Sequence, residues 1–367
     1  MTVYMLAGGG TAGHVNPLLA LADLITQLEP DAEIIVLGTQ EGLESRLVPQ
    51  RGYELQTIEK LPFPRRPNAY AVKFFGRYRR AIRRVRELIR ERKVDVVVGF
   101  GGYVSAPAYR AAHLERVPHV IHEANAKPGL ANRLGAQKTI FVGVTFAGTP
   151  IRHATVTGMP LRPELTQLDL AAVRAEARAH FGLDADRRTL LVTGGSLGAR
   201  AINEGISGAA QALIDSGAQV LHIWGGLTEM QDPGVAGYHV ISYCDRMDLA
   251  FAACDLVVSR AGSTTVSELS GLGIPAIFVP YAVGNGEQRF NAAGVVRAGG
   301  ALLVEDAELT PDWVTQHLIP LLADEQRLAQ MAAQSKAVGS LDGTERLYDL
   351  VRAARDAMPM KRATRRP

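Results

Sequence analysis

The two halves of this chain open in the same way. Val3–Ala7 reads as a short buried strand and runs straight into Gly8-Gly9-Gly10-Thr11-Ala12-Gly13-His14. An apolar period from Pro17 through Leu28 then predicts a helix. Thr189–Thr193 reads as a second such strand, followed by Gly194-Gly195-Ser196-Leu197-Gly198-Ala199-Arg200-Ala201-Ile202-Asn203 as glycine-rich turn and helix start. A strand, a glycine-rich turn and a helix form the entrance to a doubly wound parallel sheet. Their repetition makes a rough internal duplication. With 367 residues there is room for two such domains, and a hydrophobic content of 47% supplies a core for each. The expected fold class is α/β, two Rossmann-like doubly wound domains.

Gly8, Gly10 and Gly13 satisfy the G-x-G-x-x-G fingerprint of dinucleotide enzymes. Such an enzyme carries an acidic residue at the end of the second strand, for the ribose. That strand, Ile34–Leu37, ends in Gly38-Thr39-Gln40, and Glu41 comes late, which argues against a nicotinamide-dependent oxidoreductase. His14 is the residue of that turn able to do chemistry. Its imidazole either serves as a general base near neutral pH or merely packs at the helix start.

Residues 253–291 read as strand, loop, helix, strand, loop, helix. Leu256-Val257-Val258 is an apolar run suited to a buried parallel strand. Ser263 or Thr264 is placed to cap the next helix, and Glu268 follows one turn inside it. Free N–H groups at a helix start attract phosphate, and a carboxylate one turn further in suits paired sugar hydroxyls. The polar connector from Pro280 ends in Glu287-Gln288, also suited to sugar hydroxyls. The combination points to a nucleotide held by diphosphate and ribose; the alternative is an ordinary capped helix.

Between these sites the chain carries a run of charge. Arg65, Arg66, Lys73, Arg77, Arg79, Arg80, Arg83, Arg84, Arg86, Arg90, Arg92 and Lys93 have only Glu87 and Glu91 beside them in sequence. Ile82, Val85, Leu88 and Ile89 fall at helical spacing and should bury one face, whereas Phe74 and Phe75 at the ragged helix start are expected to be exposed. By charge alone this patch (Phe74, Phe75, Arg77, Arg79, Arg80) fits an anionic lipid surface, a nucleic acid or a solvated helix face. Cys244 and Cys254 make no disulfide framework, and a reducing cytoplasm is expected. No basic leader precedes the first strand, and no apolar run approaches the length of a membrane span. Asp184-Ala185-Asp186 reads as a surface turn, and no His/Cys/carboxylate cluster has metal spacing.

The ordered set of loops resembles the MurG family, the lipid I N-acetylglucosaminyltransferases of GT-B fold. Gly9–Pro17 resembles the family's first glycine-rich loop, Gly101-Gly102-Tyr103-Val104-Ser105 its second, and Val120–Arg133 its third, with Ala124 where the family usually has Gln. Gly158-Met159-Pro160-Leu161-Arg162-Pro163 resembles its interdomain linker, and the turn at Ser196 and the segment 253–291 its donor site. The resemblance implies two domains facing across a cleft. Residues 1–162, with a last helix at about 345–367 returning to them, would hold the acceptor and the membrane; residues 163–344 would hold UDP-N-acetylglucosamine. It implies donor contacts from Thr11, Ala12, Gly13, Asn125, Arg162, Ser196, Cys244 (near the uracil, where family members use backbone groups), Ser263, Thr264, Thr265, Val266, Ser267, Glu268 and Gln288. It implies the acceptor diphosphate at Gly101, Gly102, Tyr103 and Ser105, and His14 as base.

The expected reaction is inverting transfer of N-acetylglucosamine to lipid I in peptidoglycan synthesis, on the cytoplasmic face of the membrane. Its expected partners are UDP-N-acetylglucosamine, undecaprenyl-linked lipid I, the anionic inner leaflet and a cell-wall synthesis complex, with no cofactor, metal or nucleic acid. A related transferase with another lipid or small-molecule acceptor is the alternative.

Overall fold

The computed structural model describes residues 1–64, 69–195, 198–226, 231–281 and 286–357. Ser196, Asn285, Arg65, Arg66 and the tail from 358 lie outside the described residues. The chain divides into two compact units. One comprises Met1–Arg162 with the segment from Asp342 on; the other is Pro163–Leu341.

The first unit holds a seven-stranded sheet of β1 (Val3–Ala7), β2 (Glu33–Gly38), β3 (Glu54–Thr57), β4 (Val96–Gly99), β5 (His119–Glu123), β6 (Val142–Val144) and β7 (Ala154–Val156), ordered β3-β2-β1-β4-β5-β6-β7. Every pairing is parallel; Leu6 stands beside Val36 on one side and Val98 on the other. All five β1 residues are buried because both faces are covered. Tyr4 and Leu6 pack with Leu18, Leu21 and Ile25 of α1 (Ala12–Leu28). Met5 and Ala7, a period of two out of phase, pack with Val85 and Ile89 of α3 (Ala69–Glu91) and Ala108 of α4 (Ser105–Glu115). Between them α2 (Glu44–Gln50) links β2 to β3, and α5 (Leu130–Gly135) follows β5.

The helix Gly343–Asp356 belongs to this unit: Leu347, Val351 and Ala354 are fully buried in the β1–α1 core. The Tyr348 hydroxyl and the Arg355 guanidinium both donate to Glu29, at 2.7 and 3.0 Å.

The second unit holds a six-stranded parallel sheet of β8 (Thr189–Thr193), β9 (Gln219–Ile223), β10 (Tyr238–Ile241), β11 (Leu256–Ser259), β12 (Ala276–Phe278) and β13 (Ala301–Leu303), ordered β10-β9-β8-β11-β12-β13. In each sheet the winding reverses once, between β1 and β4 and between β8 and β11. A reversal opens a crevice at the strand C-termini. It places the loops after β1 and β4, and those after β8 and β11, at the ligand positions of their units.

Three expectations need correction. The first helix begins at Ala12, not Pro17, so His14 lies in its first turn. Gly13 and Pro17 disguised the start: the ring of Pro17 removes one helical N–H without breaking the turn. Phe74 is 4% exposed, whereas Phe75 is 67% and Val72 80% exposed. α3 already runs from Ala69, so Phe74, Tyr78, Ala81, Val85 and Leu88 fall on one face, and Phe74 packs on Phe63, Tyr70 and Tyr78. The basic run is also less bare than its sequence neighbours imply. Arg77 pairs with Glu59, Arg86 and Arg90 with Glu115, and Arg92 with Glu33 and Glu54, all acids from outside the helix. Among the described residues, Lys73, Arg79, Arg80 and Arg83 stand outside any ion pair.

No described helix is long and apolar enough to cross a membrane.

Candidate active site

In the first unit two glycine-rich loops meet at the reversal between β1 and β4. Gly101 and Gly102 both take positive φ, +94° and +79°. A β-carbon on Gly102 would sit 2.7 Å from the Gly9 carbonyl oxygen, so the loops touch backbone to backbone. Ser105 locks the second loop from beneath. Its fully buried Oγ accepts from the Gly101 N–H at 3.0 Å and lies within donating distance of the Gly101 and Ala7 carbonyls, at 2.6 and 3.0 Å. Its side chain therefore shapes the loop, and Tyr103, 40% exposed, stands outward.

His14 projects into this junction half-buried. Its Nδ1 lies 3.2 Å from the Gly9 carbonyl oxygen and 3.3 Å from the Thr11 hydroxyl. Nε2 faces the second loop, where a β-carbon on Gly101 would be 3.2 Å away. A side chain at 101 would fill the space into which the ring nitrogen points.

The third loop is built around a residue that the sequence did not single out. Glu123, 3% exposed, accepts from the N–H groups of Asn125 (3.0 Å) and Gly129 (2.9 Å) and from the Asn132 amide (2.9 Å). Asn132 in turn accepts from the Tyr109 hydroxyl at 2.7 Å. This network sets Asn125, half-buried, at the end of β5, while Ala124 is buried. Beside it His122 is fully buried; burial pushes its imidazole down to about 4, so it is neutral, and Nε2 lies 3.0 Å from the Gly158 carbonyl.

In the second unit the helix Ser263–Leu272 starts at Ser263 with Gly262 as N-cap, and no side chain caps it. The expected cap by Ser263 or Thr264 is not made, because both lie inside the first turn. Ser267 Oγ instead donates back to the Ser263 carbonyl at 2.9 Å. Among the described residues, the first-turn N–H groups are thus without a side-chain acceptor, the arrangement that suits an anion. The Thr264 hydroxyl oxygen is buried and, among the described residues, without a hydrogen-bond partner. Glu268 follows Thr264 by four residues, on the same helix face, half-buried. Thr265 is half-buried and Val266 buried.

Gln288 of the helix Glu287–Arg297 accepts from the Tyr281 N–H at 2.9 Å. At the other side of the reversal, a β-carbon on Gly194 would overlap Ala199. Asn203 anchors the helix that follows: its amide donates to the Trp224 carbonyl at 3.2 Å, and its oxygen lies 3.1 Å from His222 Nε2. Cys244, half-buried beyond β10, has its thiol pushed up by burial. Arg162 is half-buried at the end of the first unit. Asp184 accepts from the N–H groups of Asp186 (2.8 Å) and Arg187 (3.2 Å), a local turn.

Residues 4–141 match the Glycosyltransferase family 28 N-terminal domain, and residues 189–347 match its C-terminal domain. A Clavibacter michiganensis protein is 60% identical over 367 residues, covering 100% of both chains; it is named UDP-N-acetylglucosamine--N-acetylmuramyl-(pentapeptide) pyrophosphoryl-undecaprenol N-acetylglucosamine transferase. The chain belongs to the MurG family. A Leifsonia xyli relative of the same name is 60% identical over 357 residues, 97% of this chain and 100% of its own. Among solved structures, the MurG of Acinetobacter baumannii superposes with TM-score 0.77 at 27% identity, over 96% of this chain and 100% of that one. The fold is that of two-domain GT-B proteins. It extends to a Neisseria meningitidis UDP-GlcNAc 2-epimerase (TM-score 0.67, 13% identity, 96% of this chain and 100% of that one), a likeness of fold alone.

Proposed function

We propose that this chain transfers N-acetylglucosamine from UDP-N-acetylglucosamine to the C4 hydroxyl of the N-acetylmuramyl group of lipid I, forming lipid II. The observation that carries the reading is the contrast between the two reversals. One presents an imidazole between two glycine-rich loops, the other an uncapped helix start with a carboxylate one turn inside. A base and acceptor site in one unit, and a nucleotide-diphosphate site in the other, are what this transfer requires. Identity of 60% along the whole chain to proteins named for that reaction supports it.

In the proposed chemistry the acceptor oxygen attacks the anomeric carbon from the face opposite the diphosphate. The new C–O bond forms as the bond to the UDP oxygen breaks, UDP leaves with the electron pair, and the configuration inverts. His14 Nε2 takes the hydroxyl proton. The N–H groups and hydroxyls of Ser263, Thr264 and Thr265, with Val266 and Ser267 behind them, Ser196 and the Arg162 guanidinium stabilise the departing diphosphate. Glu268 holds the ribose. Gln288, Asn125, Thr11, Ala12 and Gly13 hold the sugar, and the backbone around Cys244 holds the uracil. The N–H groups of Gly101, Gly102 and Tyr103 face the acceptor diphosphate, with Ser105 acting through the shape of that loop.

Val72 and Phe75, with Lys73, Arg79 and Arg80, rest on an anionic membrane surface, which brings the lipid acceptor to the first unit. Calorimetric titration tests the donor half: UDP-N-acetylglucosamine should bind and NADH should not. Binding of NADH in place of the UDP-sugar would overturn it.

A further inference from the structure

Glu44 is fully buried at the start of α2, and among the described residues no cationic side chain pairs with it. An unpaired buried carboxylate is unusual and calls for a reason. Its two oxygens have separate tasks. Oε1 accepts from the Thr39 N–H (2.9 Å) and hydroxyl (2.8 Å); Oε2 accepts from the Gly10 N–H at 2.8 Å. Burial raises its proton affinity, but these hydrogen bonds outweigh that and hold the carboxyl below its ordinary range. Glycines wall it in: a β-carbon on Gly9, Gly38 or Gly42 would overlap the Glu44 side chain. The acid sought at the end of β2 is therefore present, six residues late and folded back onto the first loop.

The Gly10 N–H and the Gly9 C=O belong to one peptide group. Glu44 binds its hydrogen; 3.2 Å from its oxygen lies His14 Nδ1. A carbonyl oxygen only accepts, so this contact requires the proton on Nδ1 and leaves the lone pair on Nε2, the nitrogen that faces Gly101. The Thr11 hydroxyl at 3.3 Å is the second polar group at Nδ1. We propose that Glu44 is a positioning residue for His14, acting through the Gly9–Gly10 peptide. The carboxylate polarises that peptide, strengthens its carbonyl as acceptor, and fixes both tautomer and ring direction, much as the aspartate of a hydrolase triad does by direct contact. This role rests on the reading of His14 as the base.

The test compares Glu44→Gln, His14→Ala and the double variant in the full chain. Readouts are kcat, KM for UDP-N-acetylglucosamine, KM for a soluble lipid I analogue, and UDP affinity by calorimetry. An amide has one acceptor and one donor end, so glutamine satisfies Gly10 or Thr39 but not both. Glu44→Gln is expected to lower kcat about 10- to 100-fold, with both KM values and UDP affinity within about threefold. In the His14→Ala background it is expected to add less than about threefold, since its effect runs through the imidazole.

Full kcat in Glu44→Gln, or the same loss with and without His14, would overturn the role. Full turnover by His14→Ala would instead remove the base reading. Should Glu44→Gln not fold, Gly42→Ala pushes on the carboxylate, first on Oε2, the oxygen that accepts from Gly10, without a positive φ to oppose alanine. The same kcat-specific loss is expected there, and unchanged kcat would overturn the role. Glu41→Gln, whose side chain is 72% exposed, is the silent control.

Discussion

Gly102 lies against Gly9: a β-carbon at 102 would stand 2.7 Å from the Gly9 carbonyl oxygen, the oxygen that also faces His14. One small residue thus keeps two loops in register around the imidazole. Gly102→Ala adds both this overlap and a side chain at φ +79°. The expected result is a loss of kcat of about 100-fold or more, with a stability cost of about 1–3 kcal/mol. UDP affinity, which the proposed reading rests mainly on the second unit, should stay within about threefold by calorimetry.

The Thr264 hydroxyl gives a prediction with opposite signs for stability and binding. It is buried and, among the described residues, without a protein partner, so Thr264→Val should leave the melting temperature of the second unit unchanged or raised. If the hydroxyl serves the donor diphosphate, affinity for UDP-N-acetylglucosamine should fall about tenfold, the equivalent of about 1.4 kcal/mol. Unchanged affinity would remove Thr264 from the donor site.

Phe74 and Phe75 are neighbours with different tasks. Phe74→Ala empties a site among Phe63, Tyr70 and Tyr78 and should destabilise the first unit by about 3–5 kcal/mol. Phe75→Ser should change stability by less than about 0.5 kcal/mol, since the ring is exposed. Combined with Arg79→Glu and Arg80→Glu it should abolish co-sedimentation with phosphatidylglycerol vesicles, while transfer to a water-soluble acceptor persists. Undiminished sedimentation would place the membrane contact elsewhere.

Three buried histidines set an acid limit on stability. Burial pushes His119 and His122 in the first unit, and His222 in the second, down to about 4. Above the unfolded value near 6.5 neither state is protonated, and these residues add no pH dependence. As pH falls below it the unfolded chain takes up protons that the folded chain refuses. Stability is therefore lost between about pH 6.5 and 4, with a limiting slope of about 1.4 kcal/mol per pH unit for each histidine. Denaturant unfolding at pH 7, 5.5 and 4.5 measures this, and the first unit should show the steeper slope.

The duplicated strand–glycine–helix openings were legible because β1 and β8 are buried on both faces and read as unbroken apolar runs. The positions of His14, Glu268 and Gln288 were legible because strand ends and helix starts set them locally. What stayed hidden depends on the third dimension. Glu44 reaches back from the next helix to Gly10, and Glu123 folds over its own loop, so neither advertises itself by spacing. The burial of Phe74 against the exposure of Phe75 follows from where α3 begins, which the polar run before it obscures. Gly262 rather than a hydroxyl became the cap of the helix at 263 because the chain enters the helix one residue earlier than the serine suggested. The acids that pair with Arg77, Arg86, Arg90 and Arg92 come from outside the helix, so a count along the run itself overstated the bare charge.

The central claim is tested most directly by transfer of labelled N-acetylglucosamine from UDP to a short-chain lipid I analogue, with UDP release followed in the same reaction. One labelled disaccharide lipid per UDP released is the expected result. UDP-sugar binding without transfer to that acceptor, by protein that is folded, would contradict it.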